Sequence, residues 1–212
     1  HLSIRRQRQM CIRDSYGFTE LEATAKNIDD LESIIGASCR ENLKALSSVA
    51  NPDQALESLI RIARKQPSEI KALLGKNDSA QRLCLLLGAS SALTEFVERH
   101  PDQLKVFSEK PALKDAKTYQ QSLVKSVSSL INRPFESSAA WDAIRIAYRS
   151  ELLEIAIYDL SQEEPQLAIP DVAAALADVA AAAIEAGLLV ARAELKSSSD
   201  HGVFTKAEVD NT

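Results

Sequence analysis

The segment DVAAALADVAAAAIEAGLLVARAEL, residues 171–195, constrains this chain more than any other. Val172, Leu176, Val179, Ala183, Ala186 and Val190 fall on one face of a helix, and Ala180, Ile184, Leu188, Ala191 and Leu195 on the adjacent one. A helix apolar over so wide a surface needs neighbours on more than one side. Alanine has the highest helical propensity and lets helices approach closely, which suits such a helix to a place among others. Asp171, Asp178, Glu185 and Glu194 recur where a solvated edge would lie, which speaks against low-complexity disorder.

The remaining segments carry the same spacing and matching punctuation. In NPDQALESLIRIARKQ, Asn51 is placed to cap, Pro52 fits the first helical position, Gln54 stands where a capping-box partner would, and Leu56, Leu59, Ile60 and Ala63 share a face. Pro67 and Ser68 open a short helix closed by Gly75, and Asp78 with Gln81 offers a second capping box before AQRLCLLL. Longer helices are expected near 115–131, 138–160 and 171–196, the last two packed against each other, with Pro165 and Pro170 in SQEEPQLAIP keeping them apart. Trp141, Ile144, Tyr148, Leu152 and Ile155 form the apolar stripe of the 138–160 helix. No stretch alternates apolar and polar residues long enough for a sheet, so the expected fold is all-α, with about eight to ten helices and two long C-terminal ones.

LGASSALTEFVERHPDQL, residues 87–104, contains a glycine and two serines that at first sight suggest a phosphate-binding or nucleotidyltransferase loop. Such a loop needs an Asp-x-Asp pair on a following strand to hold Mg²⁺, and none follows. The segment reads instead as a helix joint, with Gly88 as the stop, Ser90 or Ser91 as the next cap, and His100-Pro101 starting another helix.

Composition bounds the function classes. At 212 residues the chain is long enough to bury a core without disulfides, and one helical domain is the default. Cys11, Cys39 and Cys84 are too few and too dispersed for a disulfide framework or a Cys-x-x-Cys metal site, which points to a reducing compartment. By this reading no apolar run approaches the roughly 20 residues of a membrane span, so the expectation is a cytoplasmic protein without membrane partners. The first fifteen residues, HLSIRRQRQMCIRDS, carry +3 against −8 for the rest. They lack the apolar stretch of a secretory signal and resemble translated sequencing-adapter read-through, so residues 1–15 are read as a non-native leader. Residues 16–196 are read as the helical region and 197–212 as a linker.

Candidate sites are sparse. His100 precedes a proline at a helix boundary with no Cys or His near it in sequence, and it reads as a cap or surface residue rather than a general base. His201 lies in the polar SSSDHGVF segment. Arg145 and Arg149, one turn apart, are the candidate binding residues: together they can grip a phosphate or carboxylate, or they can pair within the helix with Asp142, Glu151 or Glu154. No catalytic or metal-ligating set is assigned.

Three segments together resemble a known family. LGASSALTEFVERHPDQL is similar to the G-x-S-x-x-L…R-H-P stretch of bacterial glutamine synthetase adenylyltransferases, also called glutamate-ammonia ligase adenylyltransferases. AIRIAYRSELLEIAIYDL resembles their R-E-L-L-R-I-A-x-x-D-L helix, and VAAALADVAAAAIEAGLLVARAEL the helix that follows. The three occur in the family's order, across about residues 50–196, and actinobacterial members look most similar. The resemblance implies an enzyme that adds an adenylyl group to a tyrosine of glutamine synthetase and removes it again. It further implies ATP and Mg²⁺ as cofactors, a nitrogen-signalling regulatory protein as partner, and a nucleotidyltransferase domain beyond this helical region.

Ser150, Glu154 and Tyr158 stand where the resemblance leads one to expect arginines, which weakens any nucleotide-binding role for that helix. Leu152, Leu153, Ile155, Ala156, Asp159 and Leu160 match and are mostly packing positions. The expected role is thus the helical part of the enzyme, without its active site. The alternative is a non-enzymatic helical scaffold, although no fixed repeat supports one. Nucleic acid is not an expected partner: read as a helix-turn-helix, residues 79–100 would offer ALTEFVER as the recognition helix, and it carries two glutamates and one arginine.

Overall fold

Asn51 accepts a hydrogen bond from the Gln54 backbone N–H at 3.0 Å, and Pro52 behind it starts a helix whose missing N–H would have had no partner anyway. This is one of eight α-helices among the residues that the computed structural model describes, 17–19, 21–36, 44–46, 48–132 and 135–199, beside a 3-10 turn at 44–46 and a longer 3-10 helix. They are α1 (Leu21–Ile35), α2 (Pro52–Lys65), α3 (Pro67–Leu74), α4 (Asn77–Ala89), α5 (Ser91–Arg99), the 3-10 helix (Pro101–Ser108), α6 (Ala116–Val127), α7 (Ser137–Leu160) and α8 (Pro165–Ser199). No strand occurs among the described residues, so the all-α expectation holds. His201, the leader 1–15 and most of 197–212 lie outside the described residues.

The chain divides into two compact units, one of residues up to Pro111 together with Ala156–Glu163, the other of Ala112–Ile155 together with the residues from Glu164 on. In the first unit α2 is the hub, packed on α1, α3, α4 and α5. Leu56, Leu59, Ile60 and Ala63 are buried as the spacing implies, and Ala55, Ser58 and Ile62 are buried beside them, because a hub helix is covered on more than its one regular face. Gln54 does not complete a capping box. Its side-chain amide donates to the carbonyl of Leu87 at 2.9 Å, satisfying one of the carbonyls left open in the last turn of α4. Gly36 ends α1 with φ +94, where its N–H meets the Glu32 carbonyl at 2.9 Å, a conformation that L side chains rarely adopt.

Two punctuation readings are corrected here. α4 starts at Asn77, one residue before Asp78, and its cap residue Lys76 makes no side-chain bond, so the Asp78–Gln81 box is not the start signal. Gly88 is not a stop but a buried residue within α4. A β-carbon there would come within 2.9 Å of the Val49 side chain and 3.2 Å of the Asn51 carbonyl, so the glycine permits the segment before α2 to cross the end of α4. The joint itself is real. Ser90 caps α5, its hydroxyl accepting from the Leu93 N–H at 3.3 Å.

In the second unit α6 and α8 pack together, with α7 residues completing the core. Tyr119, Leu123 and Val127 from α6, Ala140, Ile144 and Ile155 from α7, and Ala175, Val179, Ala182, Ala186 and Val190 from α8 are buried as one cluster. α6 stops at Val127 rather than near 131. Hydroxyls of Ser126 and Ser128 bond back to the Leu123 and Val124 carbonyls, competing with the backbone ladder.

α7 and α8 are the longest helices, at 24 and 35 residues, and they touch: Trp141 lies against Gly187 and its indole N–H donates to Glu194 Oε1 at 3.1 Å. The ten-residue linker expected between them shortens to Ser161–Glu164, because α8 begins at Pro165 and continues through Pro170. A proline at the first position lacks only an N–H that had no partner, and Pro170 removes a single bond near the start of a long helix. By length and composition α8 is also long and apolar enough to cross a membrane, which the reading of apolar runs did not anticipate.

Candidate functional site

The charged side chains of α7 are the place to look, because the two candidate arginines and the motif-bearing segment both lie there. Asp142 and Arg145 are one turn apart, and the guanidinium donates to Asp142 Oδ1 at 2.5 Å with both side chains largely solvent-exposed. The i, i+3 spacing suffices to form that pair. Arg149, a turn further along, is exposed and has no ion-pair partner among the described residues. The helix spacing thus brings the two arginines onto neighbouring turns at the surface, one neutralised locally and one not.

Glu151 and Glu154 do not pair with these arginines. Lys114, from the segment before α6, reaches across and places its ammonium 2.6 Å from Glu151 Oε2 and 2.7 Å from Glu154 Oε2. The Ser122 hydroxyl donates to the other oxygen of Glu151 at 2.5 Å, and the backbone N–H of Lys114 donates to the Tyr119 hydroxyl at 3.1 Å. The Glu151 side chain is only 5% exposed. Burial of the ammonium pulls the Lys114 pKa down, but the hydrogen bonds to Glu151 and Glu154 outweigh it and hold the group above the usual lysine range. Burial in turn raises the Tyr119 phenol. Every buried polar side-chain atom among the described residues has a partner.

Such a network holds structure and offers no reactive group. Both carboxylate oxygens of Glu151 are occupied by donors, so neither is a free base, and the one ammonium is shared by two carboxylates. Glu154, which departs from the arginine implied by the family resemblance, is one jaw of this clasp. Nothing local in the sequence signalled the pairing, since Lys114 and Glu151 stand 37 residues apart.

His100 caps the end of α5 through its backbone N–H to the Phe96 carbonyl at 2.9 Å, with its ring 4.7 Å from that of Phe96. It is the joint residue that its place before Pro101 implied. Cys84 is fully buried, and burial pushes its thiol up to about 12, which leaves it a packing residue rather than a nucleophile. Among the described residues no three His, Cys, Asp or Glu side chains are grouped to hold a metal ion.

Comparison with known proteins adds what the geometry lacks. The family model for glutamate-ammonia ligase adenylyltransferase matches residues 80–211, the stretch that holds the Gly88–Ser90 joint, the Lys114 clasp and α8. A bifunctional glutamine synthetase adenylyltransferase/adenylyl-removing enzyme from Leifsonia xyli subsp. xyli is 34% identical over 98% of this chain, which covers 21% of that relative. Proteins of the same description from Cutibacterium acnes and Mycobacterium tuberculosis are 33% and 34% identical over 73% and 72% of the chain, each covered to 16%. The chain thus spans about a fifth of the length of the curated relatives it matches. No solved structure matches it. The chain belongs to the glutamate-ammonia ligase adenylyltransferase family.

Proposed function

We propose that this chain is a helical part of an enzyme that adenylylates glutamine synthetase and removes the adenylyl group, and that it supports the catalytic machinery without containing it. The observation that carries the reading is the match of nearly the whole chain to about a fifth of bifunctional relatives. The polar network of α7 supports it further, because its carboxylates are consumed in holding helices together. ATP and Mg²⁺ would act in the rest of the polypeptide, with glutamine synthetase as substrate, a nitrogen-signalling protein as regulator and the cytoplasm as the compartment.

Residues 16–196 stand in this reading as the helical region and 197–212 as the link to a nucleotidyltransferase domain. Arg145 and Arg149 take the role of a surface contact for a phosphate or carboxylate of a partner, with Arg149 the more available of the two. Their exposure and adjacency support this.

The test uses the polypeptide at the full length of its relatives. Incubated with adenylylated glutamine synthetase, phosphate and Mg²⁺, it should release ADP, and with ATP it should modify the unmodified substrate. Failure of both reactions would overturn the reading. Arg149→Ala should raise the substrate concentration needed for half-maximal rate while sparing the maximal rate.

A further inference from the structure

Arg149 has no acidic mate at helical spacing. Its neighbours three and four positions away are Arg145 and Ile146 on one side and Leu152 and Leu153 on the other. The nearest carboxylates along α7 are taken, Glu151 and Glu154 by Lys114 and Asp142 by Arg145. Arg149 is therefore an exposed guanidinium with no ion-pair partner among the described residues, one turn from a like charge. Beside it Ile146, an apolar side chain on the same outer surface, is 40% exposed.

These surroundings select among anions. A phosphate group carries close to two negative charges and is held by several charged donors at once. Here Arg145 is already paired, and the Asp142 carboxylate, 64% exposed, would meet an incoming phosphate with a like charge. One acid and two arginines leave this patch a single positive charge, which one carboxylate neutralises. A carboxylate also satisfies one guanidinium fork with two parallel hydrogen bonds. Ile146 beside the fork offers apolar contact that a protein surface can use and a free anion cannot.

We infer that Arg149 receives an aspartate or glutamate side chain from the surface of glutamine synthetase, and that Asp142 sets the specificity by holding Arg145 so that the patch does not take phosphate. This rests on the reading of the chain as part of the adenylylating enzyme, whose substrate is the protein partner that the activity of its relatives supplies. The adenylyl group itself belongs to the active site, which that reading places in the rest of the polypeptide. Arg149 is a docking residue and takes no part in the chemistry.

The full-length polypeptide is assayed in both directions, with unmodified glutamine synthetase and ATP, and with adenylylated glutamine synthetase and phosphate. Arg149→Glu should raise KM for both forms of the protein by the same factor, at least about fivefold, while kcat and the KM values for ATP and inorganic phosphate stay as they were. Arg149→Lys keeps the charge but loses the fork and should fall between the two. A rise confined to the adenylylated form would overturn the inference by placing the adenylyl phosphate at Arg149. A raised KM for ATP or inorganic phosphate would overturn it in favour of a free phosphate. Asp142→Asn frees Arg145, so replacing chloride by sulfate at constant ionic strength should raise its KM for glutamine synthetase and leave that of the wild type unchanged; an equal response would show that Asp142 excludes nothing. Wild-type polypeptide that turns over neither form sinks the functional reading and this inference with it. Normal wild-type turnover with an unaffected Arg149→Glu sinks the inference alone.

Discussion

The Val49 side chain occupies the space that a β-carbon on Gly88 would need, at 2.9 Å from the position such an atom would take. Two effects oppose each other at this site. Alanine within a helix is favoured over glycine by about 1 kcal/mol, and overpacking a full core costs about 1–3 kcal/mol. The Asn51 carbonyl, 3.2 Å from the same position, is backbone next to the start of α2 and has little room to yield, so overpacking should win. Gly88→Ala is expected to lower the urea midpoint with an unchanged slope. A raised midpoint would show that the glycine merely ends a helix.

Lys114→Met should destabilise the chain by about 3 kcal/mol, because it strands a buried carboxylate at Glu151. Adding Glu151→Leu to it should recover part of the loss. The pH dependence has a definite sign. The folded state holds Lys114 above its ordinary 10.5, so its contribution is full below that value and is lost as pH rises through the raised one. Wild-type stability should therefore fall above about pH 10.5 more steeply than that of Lys114→Met, as followed by urea unfolding across that range.

At the acidic end Glu98 behaves oppositely. Its bond to Lys65 at 2.9 Å, together with that to Arg61 at 3.4 Å, outweighs the effect of burial and holds its pKa below 4.5. Its contribution is present above that value and lost as pH falls through the lowered one. Both cations are about half exposed, so the effect should stay below about 1 kcal/mol. Glu98→Gln should flatten the stability curve on the acid side by that amount, and an unchanged curve would show that the pair contributes nothing.

Trp141 is the chain's single tryptophan and reports on the meeting of α7 with α8. Glu194 accepts both its indole N–H and the Ser137 hydroxyl. Glu194→Ala should remove about 1.5–3 kcal/mol, as loss of hydrogen bonds to a charged acceptor does, and shift native Trp141 emission to the red. Unchanged emission would mean that the two helices separate freely there.

What the sequence made legible is local chemistry. Asn51 and Ser90 cap helices because a cap acts within three residues, and Asp142 with Arg145 pairs because one turn sets the spacing. What it hid depends on distant neighbours. Gly88 as a helix stop and Gly88 as a crossing point look alike until Val49 is placed beside it. Leu176 belongs to an apolar helix with two candidate faces, and only the position of α6 decides that Ala175 and Ala182 turn inward while Leu176 stays exposed. The arginines stood out by residue type, whereas Lys114 gave no sign of reaching Glu151 and Glu154.

The central claim is that these helices belong to the adenylylating enzyme but do not hold its chemistry. The most direct measurement sets the purified 212-residue chain beside the full-length polypeptide in one assay for ADP released from adenylylated glutamine synthetase with phosphate and Mg²⁺. Loss of positioned charge and metal removes most of an enzyme's barrier lowering, so the account predicts turnover by the long polypeptide and none above background by the short one. ADP released by the 212-residue chain alone would contradict it.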